Sequence, residues 1–287
     1  IYKFCRFNKV NGGLMLKKIV ILSNHHSYTY NLRKELIQRL IDEEYKVYVV
    51  LPYGEKVKKL VEMGCEFIDS PFDRRGMNPI SDLKLLRKYY KILKNIKPDV
   101  VLTYTIKPNI YGGLVCRKLG IRYIANISGL GTAIEKKGIL EKALIKLYRL
   151  ALKNIDCIFF QNLQNQKFFA DNKISITKHR IIPGSGINLK QYPFESYPVD
   201  DGIVRFLFIG RIMKDKGIEE LIEAANRIKE IYSNVQFDAI GFCEDDYKEK
   251  ARELGRRGVI NFLGVKDNVR DYIKNCNAVI LPSYHEG

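Results

Sequence analysis

Short apolar runs rich in Val, Ile, Tyr and Phe alternate with helix-length segments along nearly the whole chain, and this alternation restricts the fold more than any other feature. Strand-like runs fall at 17–23, 46–51, 66–69, 100–104, 123–127, 157–161 and 180–183, with helical stretches such as 32–43, 82–95 and 139–154 between them. Continuous β-branched runs separated by helices belong to a parallel sheet covered on both faces. The pattern lapses over 189–202, where Pro193 and Pro198 stand among polar residues. It resumes with strands near 204–209, 236–240, 259–263 and 278–281 and helices near 219–231, 246–254 and 269–275. The expectation is an α/β protein of two Rossmann-like doubly wound domains, 15–188 and 203–287, joined by a linker at 189–202 and facing a cleft. The second domain is expected to be incomplete, because no closing helix follows its last strand. Ligands of such sheets sit beyond the carboxyl ends of the strands, so the loops that leave strands are where chemistry is sought.

At 287 residues, with 46% hydrophobic and 28% charged, the chain has room for two cores. No apolar run reaches the roughly 18 to 20 residues of a membrane-spanning helix. The six cysteines, Cys5, Cys65, Cys116, Cys157, Cys243 and Cys276, are scattered and form neither a Cys-x-x-Cys pair nor a disulfide framework, which fits a reducing cytoplasm. The segment before Met15 lacks the apolar stretch of a signal peptide. Because Met15 directly precedes the first strand-like run, it is expected to be the true start, with residues 1–14 extraneous. The net charge of +17 is unevenly spread: residues 1–200 carry 35 Lys and Arg against 17 Asp and Glu, residues 201–287 carry 14 against 15. A one-sided basic excess implies an anionic partner, whether nucleic acid, a membrane surface or a phosphorylated acceptor. Composition does not choose among them.

The segment Gly210-Arg211-Ile212-Met213-Lys214-Asp215-Lys216-Gly217 leaves an apolar strand and opens a helix. A loop, fixed cations and free helix N–H groups converge there, which is what a pyrophosphate needs. The plain alternative is a basic surface turn. A second segment, Pro282-Ser283-Tyr284-His285-Glu286-Gly287, places Ser283, His285 and Glu286 at another strand end. Glu286 could accept hydrogen bonds from sugar hydroxyls, or be a solvated loop acid.

In order and spacing these two segments resemble the second domain of GT-B fold glycosyltransferases, in the large retaining family 4 that includes capsule, lipopolysaccharide and mannosyl transferases. The resemblance implies that Gly210, Arg211, Lys216 and Gly217 hold the donor diphosphate, and that Ser283 and Glu286 open the donor-sugar motif, with Arg211, Lys216 and Glu286 the catalytic set. That motif's second Glu, which usually holds the ribose, would lie beyond Gly287. In the first domain, Thr103-Tyr104-Thr105-Ile106-Lys107-Pro108-Asn109-Ile110-Tyr111-Gly112 and Asn126-Ile127-Ser128-Gly129-Leu130-Gly131 look like capsule and undecaprenyl-diphosphate-linked oligosaccharide transferases. Many family members have a His after the fifth strand; here Asn126-Ile127-Ser128 stands there, leaving Ser128 or a backbone group as its substitute.

After the first strand come His25, His26 and Tyr30, then Arg33 one turn into a helix. A His pair invites a metal reading, but no third ligand is spaced nearby and adjacent strand residues do not project together. His25, Tyr30, Arg33, Lys107, Asn126 and Ser128 are therefore expected to contact acceptor or line the cleft. Over 138–154, Ile139, Leu140, Ala143, Leu144, Leu147 and Ala151 are read as one apolar side and Lys142, Lys146, Arg149 and Lys153 as a basic one. That is a core-facing helix with a solvated basic face or a membrane contact.

No Asp-x-Asp occurs, so no metal or other cofactor is expected and Arg211, Lys216 and the helix start are left to hold the donor phosphates. The resemblance implies retention of anomeric configuration, a nucleotide-diphosphate sugar donor, expected to be a UDP-sugar, and a lipid-linked or saccharide acceptor in cell-surface polysaccharide synthesis. The expected setting is cytoplasmic, peripheral at an anionic inner membrane face, without nucleic acid as a partner. The alternatives are a sugar-nucleotide 2-epimerase of the same architecture and a basic nucleic-acid-binding protein, for which no aromatic-interleaved basic motif is evident.

Overall fold

The computed structural model describes residues 17–73, 78–130, 138–174 and 178–284. The chain divides into two compact units, the first ending at Gly186 and the second beginning at Ile187. Each is described by itself.

Among the described residues, the first unit is built on a seven-stranded sheet of β1 (Lys18–Leu22), β2 (Lys46–Leu51), β3 (Glu66–Asp69), β4 (Val100–Tyr104), β5 (Arg122–Ile127), β6 (Cys157–Phe160) and β7 (His179–Ile181). Their order is β3-β2-β1-β4-β5-β6-β7 and every pairing is parallel. The helices are α1 (His26–Asp42), α2 (Val57–Glu62), α3 (Pro79–Ile96), α4 (Gly113–Leu119), α5 (Ile139–Ala151) and α6 (Leu163–Asp171), with a π-helical turn, Pro108–Gly112, leading into α4. The strand residues alternate between two cores because successive side chains leave a strand on opposite faces. Val20, Leu22, Val50 and Val101 join the cluster covered by α3 to α6, while Ile19, Ile21, Val49 and Val100 join the one covered by α1 and α2. Strands buried on both faces can only be apolar throughout, which is why the runs are continuous.

The second unit carries β8 (Val204–Ile209), β9 (Val235–Ile240), β10 (Asn261–Gly264) and β11 (Ala278–Ile280) in the order β10-β9-β8-β11, again all parallel. Its helices are α7 (Ile218–Ile231), α8 (Lys248–Arg256) and α9 (Val269–Lys274). Ile218, Leu221, Ile222 and Ala225 of α7 pack on Phe208, Phe237 and Ala239 of the sheet. Residues 187–202 are tied to this unit where Arg270 of α9 donates to Glu195 Oε1 at 3.0 Å and to the Gln191 carbonyl at 3.2 Å.

Several elements depart from the sequence expectation for local reasons. Helix α1 begins at His26, six residues before the expected 32, because His25 Nδ1 accepts the Ser27 N–H at 3.1 Å and acts as its N-cap. Helices α2 and α4, of 6 and 7 residues, are too short to show a helical period. The core-facing side of helix α5 is rotated from the one expected but overlaps it, since Ala151 is buried and Leu144 and Leu147 pack against the core. Its buried residues are Ile145, Tyr148 and Ala151, with Tyr148 against Phe169 at 5.3 Å, whereas Ile139, Leu140 and Ala143 lie exposed among the lysines.

Leu93 of α3 is fully buried while the neighbouring Lys94 is exposed. Leu93→Ala should therefore lower the stability of the protein by about 2–5 kcal/mol in urea unfolding, and Lys94→Ala should change it by no more than about 0.5 kcal/mol.

Candidate active site

In the second unit the strand order reverses between β8 and β11, and the two loops that leave these strands meet there. Beyond β8, Gly210 donates its N–H to the Ile240 carbonyl at 2.9 Å and Ile212 to that of Phe242 at 2.8 Å, so residues 210–212 continue beside 241–243. This approach requires glycine at 241, whose φ is +150° and whose added Cβ would stand 1.8 Å from the Gly210 carbonyl oxygen. A one-turn helix, Lys214–Lys216, follows and ends at Gly217, with φ +69°. An added Cβ at Gly217 would meet the Pro282 carbonyl oxygen at 2.1 Å. The Tyr284 N–H donates to the Asp215 carbonyl at 3.2 Å. The 210–217 and 282–284 segments are thereby clamped backbone to backbone.

Helix α7 starts from this clamp, and its N-cap, Gly217, has no side chain to cap it. The N–H groups of Ile218, Glu219 and Glu220 thus lie at the positive end of a 14-residue helix dipole. Two acids, Glu219 and Glu220, stand in that turn: the first is ion-paired to Lys250, while the second, bonded to a neutral phenol, keeps its charge. Lys250 Nζ donates to Glu219 at 2.5 Å and the Tyr284 hydroxyl donates to Glu220, and these bonds hold both carboxyls below the usual range. Arg211 reaches Glu244 at a long 3.4 Å with its side chain 40% exposed, a contact weak enough to yield to a phosphate. Lys216 is half-buried. Ser283 Oγ is buried with no hydrogen-bond partner among the described residues. His285, Glu286 and Gly287 lie outside the described residues.

In the first unit the order reverses between β1 and β4. At these strand ends a buried polar chain forms: Thr103 Oγ1 donates to Asn109 Oδ1 at 2.7 Å, and Asn109 Nδ2 donates to the Asn126 carbonyl at 3.1 Å. Gln161 Nε2 donates to Asn126 Oδ1 at 3.3 Å, which leaves Asn126 Nδ2 buried and unpartnered among the described residues. Asn24 Oδ1 and Thr105 Oγ1 are in the same condition. Asn24 lies two residues beyond Leu22 and Thr105 two beyond Thr103, and those two residues pair in register, as do Tyr104 and Asn126. Thr105 holds φ +73°, a left-handed conformation costly for a β-branched residue. Arg33 is buried, its guanidinium 4.7 Å above the Tyr104 ring and Nη1 donating to the Leu32 carbonyl at 2.7 Å.

The other expected contact residues are placed differently. His25 is the cap of α1 and stacks on His26 at 4.5 Å, because both begin a helix rather than share a strand. The His26 ring lies against Gly54. Tyr30 faces Lys34 and Lys59 at 5.9 and 5.6 Å. Lys107 is held by Asp82 at 2.7 Å, whose other oxygen accepts the Tyr111 hydroxyl at 2.8 Å; burial, then Asp82, pushes the Tyr111 phenol up. Ser128 is half-buried just beyond β5. Glu244 and Asp82 escaped the sequence reading because their partners stand 33 and 25 residues away. Asn24, Thr105 and Asn109 carried only a short polar side chain at a strand end as their signal. Among the described residues no group of three His, Cys, Asp or Glu is gathered that could hold a metal ion.

The family model described as "Glycosyl transferase 4-like" matches residues 18–162, and that of "Glycosyl transferases group 1" matches 194–287. The chain belongs to the glycosyl transferase 4-like family. This glycosyltransferase is 28% identical over 287 residues to the Campylobacter jejuni N,N'-diacetylbacillosaminyl-diphospho-undecaprenol alpha-1,3-N-acetylgalactosaminyltransferase, a match covering 94% of this chain and 75% of that one. Its fold is that of Anabaena HepE in complex with UDP and glucose, at a TM-score of 0.69 and 15% identity over 93% of this chain and 74% of that one. A putative UDP-N-acetylglucosamine 2-epimerase from Listeria monocytogenes shares the fold at a TM-score of 0.64 and 14% identity, covering 92% and 74% of the two chains. The glycosyltransferase thus has the GT-B fold, and the family match separates it from an epimerase where fold likeness does not.

The clamp at Gly217 is testable against Gly258, which has a similar φ of +66° but open space where a Cβ would go. Gly258→Ala should cost about 1–2 kcal/mol for its backbone conformation alone. Gly217→Ala should cost at least about 3 kcal/mol in urea unfolding, because it adds a collision with Pro282.

Proposed function

We propose that this glycosyltransferase moves a sugar, with retention, from a UDP-sugar to a lipid-linked or saccharide acceptor in cell-surface polysaccharide synthesis. The observation that supports this reading is the clamped Gly210–Gly217 turn, which carries Arg211 and Lys216 and leads from β8, at the second unit's switch point, into the start of α7. The donor diphosphate would lie on the N–H groups of that start, with Gly210 and Gly217 allowing close approach and the Ser283 hydroxyl meeting a donor oxygen. As the glycosidic bond breaks, negative charge grows on the departing UDP. Prearranged cations and N–H dipoles stabilise that charge more than the ground state, and each such group is worth about 2–4 kcal/mol. Arg211 and Lys216 would do this without a metal, and Glu286 would hold hydroxyls of the donor sugar.

The UDP in the HepE complex supports the choice of nucleotide. The diphospho-undecaprenol in the Campylobacter relative's name supports a lipid-linked acceptor. In the first unit, Asn126, Arg33 and Ser128 are the residues proposed to meet the acceptor, with Asn24 and Thr105 added. His25, Tyr30 and Lys107, engaged in caps, ring contacts and an ion pair, would shape that surface from behind. No helix among the described residues is long and apolar enough to cross a membrane. A peripheral position at the inner, cytoplasmic membrane face would bring the enzyme to such an acceptor and give the basic excess of the first unit an anionic partner, without nucleic acid.

Arg211→Ala and Lys216→Ala should each lower transfer at least about tenfold with the fold intact, measured by mass spectrometry of products from a sugar-nucleotide panel and a lipid-diphosphate acceptor. Wild-type rates in both variants would refute the donor assignment. Transfer should continue in excess chelator; complete loss restored by magnesium or manganese would remove the metal-free mechanism. Nucleoside diphosphate should be released only when acceptor is supplied, whereas an epimerase would need none.

A further inference from the structure

The charge of the first unit is not spread evenly over its two helical layers. On one face of the sheet, α3 packs on α4 and α4 on α5. Helix α3 carries five Lys and Arg, α4 two and α5 three, against two acids, Asp82 and Glu141. Asp82 is already bound to Lys107. None of those Lys or Arg has an ion-pair partner among the described residues. On the opposite face α1 and α2 pair their charges locally, as in Lys34–Glu35, Arg39–Glu43 and Lys58–Glu62. A solvated layer would be expected to balance its charges in the same way.

The basic layer also exposes aliphatic side chains at one end. Ile80, near the start of α3, is 67% exposed and Ile139, at the start of α5, is 89% exposed, with Leu83 and Leu140 beside them. Both helices return from a strand's carboxyl end to the next parallel strand, so their N-terminal ends lie at the edge of the sheet where Arg33 and Asn126 stand. Exposed aliphatics among unpaired lysines are the signature of an interfacial face, whose apolar groups enter the acyl boundary while the cations meet anionic headgroups. A nucleic-acid surface would more naturally offer aromatic rings for stacking or polar groups for base edges.

We infer that the outer face of α3, α4 and α5 docks on an anionic lipid surface, with Ile80 and Ile139 inserted and the lysines at the headgroups. This inference rests on the proposed transfer to a lipid-linked acceptor only in its purpose: docking by that rim would set the strand-end residues of the first unit beside the membrane.

The test is sedimentation of the protein with vesicles of phosphatidylcholine alone or with one third phosphatidylglycerol, over a range of salt, alongside a duplex DNA. The wild type should bind the anionic vesicles, lose binding steeply with salt, and bind neither neutral vesicles nor DNA comparably. Lys84→Gln, Lys91→Gln, Lys142→Gln and Lys146→Gln together should lower the partition coefficient at least about a hundredfold. Ile80→Ser with Ile139→Ser should remove the part that survives high salt. Circular dichroism melts would show both variants folded. No binding by the wild type, unchanged binding in the charge variant, or DNA binding as tight as vesicle binding would overturn the inference. Transfer to a water-soluble acceptor should be unchanged in both variants. Absence of transfer in the wild type, with salt-dependent vesicle binding kept, would overturn the functional proposal and leave this face assigned.

Discussion

Both sheets are wholly parallel, and the rest of the molecule follows from that constraint. Parallel strands need a crossover between each pair, the crossovers cover both faces, and the strands between them must be apolar on both sides. The same geometry sends all the strand-end loops to a single edge. Where the strand order reverses, two neighbouring loops diverge to opposite faces and leave a crevice. The β8 and β11 loops stand at such a point in the second unit, and the β1 and β4 loops in the first. Among the described residues, Ser283 Oγ in one unit and Asn24, Thr105 and Asn126 in the other are buried polar groups without partners at strand ends, while others, such as Tyr89, Arg117 Nε and Tyr148, lie on helices.

How much of this was legible in the sequence depended on how local each signal was. Strands such as 46–51 and 100–104 could be read directly, because burial on both faces writes itself as a largely apolar run. Helix starts were less visible: a histidine as N-cap is an uncommon choice, and the expected start of α1 was six residues late. The facing of α5 was read only in part: Leu144, Leu147 and Ala151 do face the core, but Ile145 and Tyr148, the latter packed against Phe169, take the place of Ile139, Leu140 and Ala143. The positive φ of Thr105 and the π-helical turn after it had no sequence signal, since neither threonine nor proline marks such geometry.

The site divides in the same way. Arg211, Lys216 and Gly217 were proposed from sequence because their chemistry and spacing lie within one loop that resembles a family motif. The groups that control them, Glu244 beside Arg211 and the Pro282 carbonyl against Gly217, come from other strands and depend on the fold. Lys107 shows what motif reading leaves out: a cation in a strand-end segment is seen, but not Asp82 on α3, which holds it and accepts from Tyr111.

The central claim is that the first turn of α7, with Arg211 and Lys216, holds the donor diphosphate. It is tested most directly by titrating the ¹⁵N-labelled protein with UDP and with uridine and following backbone amide resonances. The account predicts saturable shifts of the Gly210, Ile218, Glu219 and Glu220 amides with UDP, much smaller shifts with uridine, and loss of the UDP response in Arg211→Ala. If UDP binds while those amides stay in place, or moves them no more than uridine does, the diphosphate lies elsewhere and the account is wrong.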